Sequence, residues 1–176
     1  MFPDNTVLTN VALINRMDLL RRLANGKGRW CASVASECRN SAKRPDLTAL
    51  DDAEDIFGEP LYPDQAELQD AQALRSQLAA PGDPRTQHLG EAETVAIAVR
   101  RQLDCIFITD DRAAARLAAN NDIRVATTWD LLRMAHRMSW VDAATLWGYV
   151  LTIDGHGRGS PPGVWDRQSF NKWLGV

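Results

Sequence analysis

Cysteine, long apolar runs and excess positive charge are all scarce in this 176-residue chain, and each scarcity removes a class of function. The three cysteines, Cys31, Cys38 and Cys105, are odd in number and form no CxxC pair. They suggest neither a disulfide framework nor a zinc site, and read as buried thiols in a reducing compartment. No apolar run approaches the roughly 18 residues needed to span a bilayer, and no basic stretch followed by an apolar one marks the amino terminus. A cytoplasmic protein with no membrane partner is expected. Net charge is −3, with 20 basic against 23 acidic residues, which argues against holding nucleic acid by overall positive charge. His88, His136 and His156 lack ligand spacing, and Ser33, Ser36 and Ser41 sit in no nucleophile elbow, so acyl transfer fits poorly. No DxD pair follows the first expected strand, which disfavours a phosphoryl-transfer protein phosphorylated on Asp4.

What is present suits one compact domain. Met1 to Pro3 reads as a very short strand, Asp4-Asn5-Thr6 as a turn, and Val7, Leu8, Val11, Ile14 and Leu19 or Leu20 as one amphipathic helix stopped by Asn25-Gly26-Lys27-Gly28. Arg29 to Ala32 is a candidate strand, with Ser33 capping a helix that carries Val34, Glu37 and Cys38. Residues Lys43 to Pro84, acidic and broken by Pro45, Pro60, Pro63 and Pro81, read as peripheral helices. A helix then opens at Gly90-Glu91-Ala92-Glu93. Cys105 to Thr109 forms a buried strand ending at Asp110 and Asp111, Arg112 to Ala119 a helix, Ile123 to Ala126 a strand, and Trp129 to Met138 a helix. Such alternation predicts an α/β fold with a parallel sheet. Residues 1–150 are expected as the domain and 151–176 as a flexible Gly/Pro linker with a Trp-rich appendage. Of six tryptophans, Trp30, Trp129, Trp140 and Trp147 are expected to anchor packing. Trp165, Phe170 and Trp173 would dock on their own domain, a second copy or a partner.

In an open parallel sheet the functional crevice lies beyond the carboxyl ends of the strands. Asp4 and Asp111 are placed there, Glu93 sits in a first helical turn, and Glu37 lies in a short helix after the second expected strand. Four carboxylates without interleaved histidine or cysteine make a hard oxygen site that suits Mg²⁺ or Mn²⁺. Cations of that kind acidify water and stabilise charge on phosphate, so phosphodiester hydrolysis is the reaction to expect. Glu91 and Asp110, neighbours of Glu93 and Asp111, either replace them as ligands or serve as helix-end and turn caps. Arg112 and Arg116 stand close enough in sequence to hold a substrate backbone, or are solvated helix arginines. Composition alone does not choose, since 23 acidic residues allow many quartets.

The stretch Gly90-Glu91-Ala92-Glu93-Thr94-Val95-Ala96-Ile97-Ala98, followed by Ile106-Phe107-Ile108-Thr109-Asp110-Asp111-Arg112-Ala113-Ala114-Ala115-Arg116, resembles PIN-domain ribonucleases, especially VapC-like proteins with GEAE and DDRxAR motifs. Asp4-Asn5-Thr6-Val7-Leu8 is similar to the family's opening, Val34-Ala35-Ser36-Glu37 to its second acidic position, and Ile123 to Leu132 to its last strand and following helix. A departure lies at the front, where only Met1-Phe2-Pro3 precede the leading aspartate and the family has a full strand. The resemblance covers about Phe2 to Met138. It implies a three-layer α/β/α fold with a central parallel sheet, and Asp4, Glu37, Glu93 and Asp111 as the acidic quartet. It further implies Thr6 and Thr109 as supporting hydroxyls and RNA as substrate. Many small bacterial members are toxins of toxin–antitoxin pairs, commonly dimeric and silenced by an antitoxin protein over the acidic cleft. The rival within the same fold is a non-catalytic regulatory or binding module.

Overall fold

The computed structural model describes residues 1–176 throughout. In chain order the elements are β1 (Phe2–Pro3), α1 (Asn5–Leu13), α2 (Met17–Ala24), α3 (Ala32–Ser41), a 3-10 segment (Pro45–Asp52), α4 (Ala53–Phe57), α5 (Gln65–Leu78) and α6 (Leu89–Arg100). There follow β2 (Ile106–Ile108), α7 (Arg112–Ala119), β3 (Arg124–Ala126), α8 (Thr128–Arg137), α9 (Ala143–Gly155) and α10 (Arg167–Leu174). The sheet is parallel in the order β1-β2-β3. Phe2 lies opposite Phe107 and Pro3 opposite Ile108. Pro3, which has no N–H to give, is tolerated because β1 is an edge strand. Two further backbone bonds, Asp4 N to Ile108 O at 2.8 Å and Thr109 N to Ala126 O at 3.0 Å, carry the ladder one residue past the strands. They fix where the carboxyl edge of the sheet presents its side chains.

Strands this short survive because both faces are covered. On one face Phe2 and Phe107 pack with Val95 and Ala98 of α6 and Ala114, Leu117 and Ala118 of α7, while α5 lies outside α6. The other layer is built from α1, α2, α3 and α8, with Leu8, Val11, Leu20, Trp30 and Val34 in the largest core cluster. The three-layer α/β/α arrangement with its central parallel sheet is thus present.

Several local expectations change. The single amphipathic helix is broken into α1 and α2 at Asn15, whose φ of 52° is left-handed. The piece Arg29 to Ala32 shrinks to one bridge, Cys31 with Leu61. Cys31, not Ser33, occupies the N-cap of α3. Lys43 to Pro84 is more than peripheral, since Leu47, Leu50, Ala53, Ile56 and Phe57 enter the largest core. The ring of Phe57 sits so near Gly28 that a Cβ there would meet it at 2.7 Å.

The tail also departs from a loose linker. Helix α9 continues through Gly155, across the expected boundary at 150. Val164 and Phe170 then join Trp129, Leu132, Leu146 and Val150 in one buried cluster. Phe170 is sandwiched by Trp147 and Trp173, with ring centroids 5.1 and 5.8 Å away. Burial of such a side chain contributes about 1.5–3 kcal/mol, and α10 is nucleated by an Asp166/Ser169 capping box. Of the aromatic trio in the tail, Phe170 and Trp173 dock on their own domain. Trp165 stays 80% exposed.

Candidate metal and active site

Asp4 ends β1 and caps α1, so the strand-to-helix turn carries its side chain into the interior, where the residue is 2% exposed. Its Oδ2 accepts from Thr6 Oγ1 at 2.5 Å and Thr109 Oγ1 at 3.1 Å. Burial pushes the carboxyl above its ordinary pKa, and the two hydroxyls, which favour the anion, only partly offset this. Thr109 is fully buried and also accepts from the backbone N–H of Asp111 at 3.1 Å. One hydroxyl therefore ties the end of β1 to the turn after β2.

The acids of α3 and α6 meet because Gly90 lets the two helices touch. A Cβ on Gly90 would stand 2.9 Å from Val34 Cγ2 and 3.3 Å from Glu37 Oε1. Glu37 accepts no hydrogen bond, and its carboxyl is pushed up to about 7, first by burial and then by Glu91, Asp4 and Glu93. Glu91 is also raised, by burial and then by Asp4, with Asp111 adding to it and His88 opposing. His88 lies beside it, Nδ1 to Oε1 at 3.6 Å. Glu93 differs, being 3% exposed and held by both oxygens: Ser33 N donates to Oε1 at 3.1 Å and Ser33 Oγ to Oε2 at 2.7 Å. It thereby caps α3 from a distance of 60 residues in sequence.

The aspartate doublet divides in the same way. Asp111 is the N-cap of α7, its Oδ1 accepting from Ala113 N at 2.6 Å and Ala114 N at 2.8 Å, while Oδ2 has no protein donor. Asp110 is saturated. Thr128 N donates to its Oδ1 at 2.9 Å, and Thr128 Oγ1 and Asn10 Nδ2 both donate to its Oδ2, the latter at 2.8 Å. Asp110 therefore fastens the turn after β2 to α1 and to the start of α8.

The structure thus brings Asp4, Glu37, Glu91, Glu93 and Asp111 into one electrostatic group, with Thr6 and Thr109 supporting Asp4. Arg112 is exposed at the start of α7 and makes no side-chain bond. Arg116 lines a shallow hollow with Ala119, Ile123 and Arg124 at the amino end of β3, because α7 runs back along the sheet away from its carboxyl edge. A polar cleft of about 530 Å³, lined by Ser33, Ser36, Glu37, Asn40, His88 and Glu91 among others, opens beside the acids.

Four residues of this region were not singled out from sequence: Asn10, Ser33 (in this role), Thr128 and Arg158. For Asn10 a signal existed, since Thr9-Asn10 interrupts an otherwise apolar helical run, and a polar pair there must find partners once buried. Ser33, Thr128 and Arg158 carry no comparable mark.

The chemistry of the donors suits a hard divalent cation: oxygen only, with Glu37 and Glu91 raised by burial and then by neighbouring acids and neither accepting from another residue. Yet as they stand no three acid, histidine or cysteine side chains draw close enough to hold an ion, since Glu93 is tied to Ser33 and Asp111 to α7. No helix is long and apolar enough to cross a membrane.

Comparison with known proteins adds one match and two blanks. A family model described as PIN domain matches residues 3–146, from the residue before Asp4 into α9. No curated protein and no solved structure matches the chain. PIN domains are commonly nucleases and usually bind divalent metals. With most of its length matched and the three-layer parallel fold in place, the chain belongs to the PIN-domain family.

Proposed function

We propose that the chain is a metal-dependent endoribonuclease that hydrolyses RNA phosphodiesters, and that it serves as the toxin of a toxin–antitoxin pair. The supporting observation is the gathering of Glu91, Asp4 and Glu93 around Glu37, whose carboxyl is lifted to about 7 by burial and then by those three acids; a divalent cation among them would offset that repulsion. The acidic quartet of this proposal is Asp4, Glu37, Glu93 and Asp111, with Glu91 as a fifth member. Asp4, Glu37, Glu91 and Asp111 would hold Mg²⁺ or Mn²⁺ directly, and Glu93 would act from behind by fixing α3. When bound, such a cation supplies acidified water and charge neutralisation at the phosphate.

The chain's own residues prepare that chemistry. Thr6 and Thr109 lock the Asp4 carboxylate through one oxygen, leaving Oδ1 without a side-chain donor. The α7 amino terminus holds Asp111 by Oδ1 and leaves Oδ2. Glu37, its carboxyl raised to about 7 by burial and then by Glu91, Asp4 and Glu93, would be the ligand whose proton a bound cation displaces. Arg112, exposed beside Asp111, is placed to meet the substrate backbone; Arg116 is a weaker candidate because of its position at the far end of the strands. A homodimer and an antitoxin covering the cleft belong to the same proposal.

The test is cleavage of an RNA pool with Mn²⁺ or Mg²⁺, repeated with Asp4→Asn and Asp111→Asn. Cleavage that survives both substitutions would sink the site. Glu91→Gln should weaken Mn²⁺ binding by calorimetry while Glu93→Gln chiefly lowers thermal stability; the reverse pattern would exchange their roles. A second reading, a non-catalytic PIN-fold regulatory or binding module, is favoured by the failure of any three acids to converge on an ion position. It wins if the wild type neither binds Mn²⁺ nor cuts RNA.

A further inference from the structure

Arg158 lies twelve residues past the end of the PIN-domain match at residue 146, in the segment Gly157-Arg158-Gly159 between α9 and the docked tail. Gly157 and Gly159 both have left-handed φ, 70° and 82°, a turn that would strain other residues. The turn is pinned by Gly157 N to Asp154 O at 2.8 Å, Arg158 N to Ile153 O at 3.2 Å and Ser160 Oγ to Asp154 Oδ1 at 3.0 Å. The effect is to send the arginine back to helix α1. Its Nε donates to Asn10 Oδ1, and its Nη2 to the backbone carbonyl of Thr6 at 3.1 Å.

The guanidinium is half-buried and makes no ion pair, its two partners being neutral acceptors. Burial lowers its pKa, Asp110 and Asp4 oppose that, and Arg44 adds repulsion. Arginine nonetheless stays charged. A half-buried cation whose direct partners are neutral, and which carboxylates offset only without touching it, gains from an anion brought to its free N–H groups. Of its five N–H donors two are engaged, leaving three in a fixed planar fork. The carboxylates that act on it are Asp4, of the acidic group, and Asp110, whose oxygens are already taken.

We propose that Arg158 is a substrate-contacting residue, a phosphate clamp that the docked tail delivers to the edge of the acidic group, beside Thr6, the residue that donates to Asp4. The chain Thr128–Asp110–Asn10–Arg158 makes it a positioned group: Asp110 orients the Asn10 amide, and the amide oxygen holds Nε. Val164 and Phe170, buried against α8 and α9, keep the tail from carrying it away. The ligand is the phosphodiester backbone of RNA, so the inference rests on the ribonuclease reading.

The test uses the full chain carrying Asp4→Asn, which stops cleavage, and measures binding of a short single-stranded RNA by fluorescence anisotropy across a salt series. Adding Arg158→Gln should weaken binding roughly 10- to 100-fold and flatten the logarithmic salt slope by about 0.7. Arg158→Lys should keep most of the slope. In the otherwise wild-type chain, Arg158→Gln should raise KM and leave Mn²⁺ affinity, read by calorimetry, undiminished. Unchanged RNA affinity and slope in Arg158→Gln would overturn the clamp, even if melting temperature fell. Should that variant not fold, Arg158→Met, which keeps the apolar stem, is read by the same two numbers. If the wild type cuts no RNA and Asp4→Asn binds none, the ribonuclease reading fails first and takes the clamp with it. If both occur and only the Arg158 effects are missing, the clamp alone falls.

Discussion

The two sides of the acidic group are built from the same residue types and stand in opposite electrostatic states. On the α1–α8 side, Asp110 is surrounded by donors from Thr128 and Asn10, and Asn10 passes the network on to Arg158. On the α3–α6 side, Glu37 and Glu91 accept no hydrogen bond from another residue, and both carboxyls are raised, by burial and then by neighbouring acids: Glu91, Asp4 and Glu93 on Glu37, Asp4 and Asp111 on Glu91. A carboxylate met by neutral donors is finished as a structural element. One met by other carboxylates keeps a demand for positive charge that the fold does not supply. Asp110 and Asp111 adjoin in sequence, as Glu91 and Glu93 nearly do, and in each pair one member is a fastener while the other keeps free oxygen.

The sharpest way to break this comparison is to remove a charge from the unsatisfied side. Asp4→Asn should lower Mn²⁺-supported RNA cleavage by on the order of 100-fold or more, at least the upper range of losses seen when outer partners of a metal site are removed. Melting temperature in EDTA should hold or rise, because a buried, raised carboxyl is gone. A fall of several degrees would instead make Asp4 a structural fastener.

Removing a charge from the satisfied side should do the opposite. Asp110→Ala strands the donors of Thr128 and Asn10, at a cost of about 2–3 kcal/mol, read by urea denaturation. An unchanged midpoint would abolish the distinction between the two sides. Gly90→Ala attacks the hinge of the unsatisfied side, where the new methyl would press on Val34 and Glu37. A loss of about 1–3 kcal/mol is expected from overpacking, with Mn²⁺ affinity falling alongside.

The smallest effect is on pH. The carboxyl of Glu37 is higher folded, about 7, than its ordinary 4.5. Its contribution is therefore fully present below pH 4.5 and is lost as pH rises through 7. Asp4 and Glu91 are shifted in the same direction. In EDTA the chain should melt at a lower temperature at pH 8 than at pH 6, and saturating Mn²⁺ should reduce or reverse that difference by binding the ionised form. Equal melting temperatures in EDTA would mean that the acids do not repel.

Much of the carboxyl-terminal half was legible before folding. The Ile106 to Ile108 strand, the Arg112 to Ala119 helix and the following strand stand where apolar periodicity puts them, because a buried parallel strand needs a short apolar run and a helix needs its stripe. The front was harder to read. Asn15 breaks one amphipathic pattern into two helices, and a left-handed asparagine inside a pattern leaves periodicity almost intact. Leu47 and Phe57 looked peripheral among prolines, yet prolines only set local turns and say nothing about which apolar side chains a distant surface will receive.

For the site, residue types and strand-end positions in the sequence offered the acids as candidates, and it was the resemblance to PIN domains that grouped Asp4, Glu37, Glu93 and Asp111, with Glu91 and Asp110 as alternates. Spacing reports which helix turn or strand end a carboxylate occupies. It does not report what waits on the other side. Only the tertiary structure decided that Ser33 satisfies Glu93, that Thr128 and Asn10 satisfy Asp110, and that Glu37 comes to lie beside Gly90 and within the field of Glu91 with no donor. Only it brought Arg158, 148 residues from Asn10, to the edge of the same group. Hydrogen bonds and mutual charge repulsion act over a few ångströms of space, and that distance is set by packing, not by position along the chain.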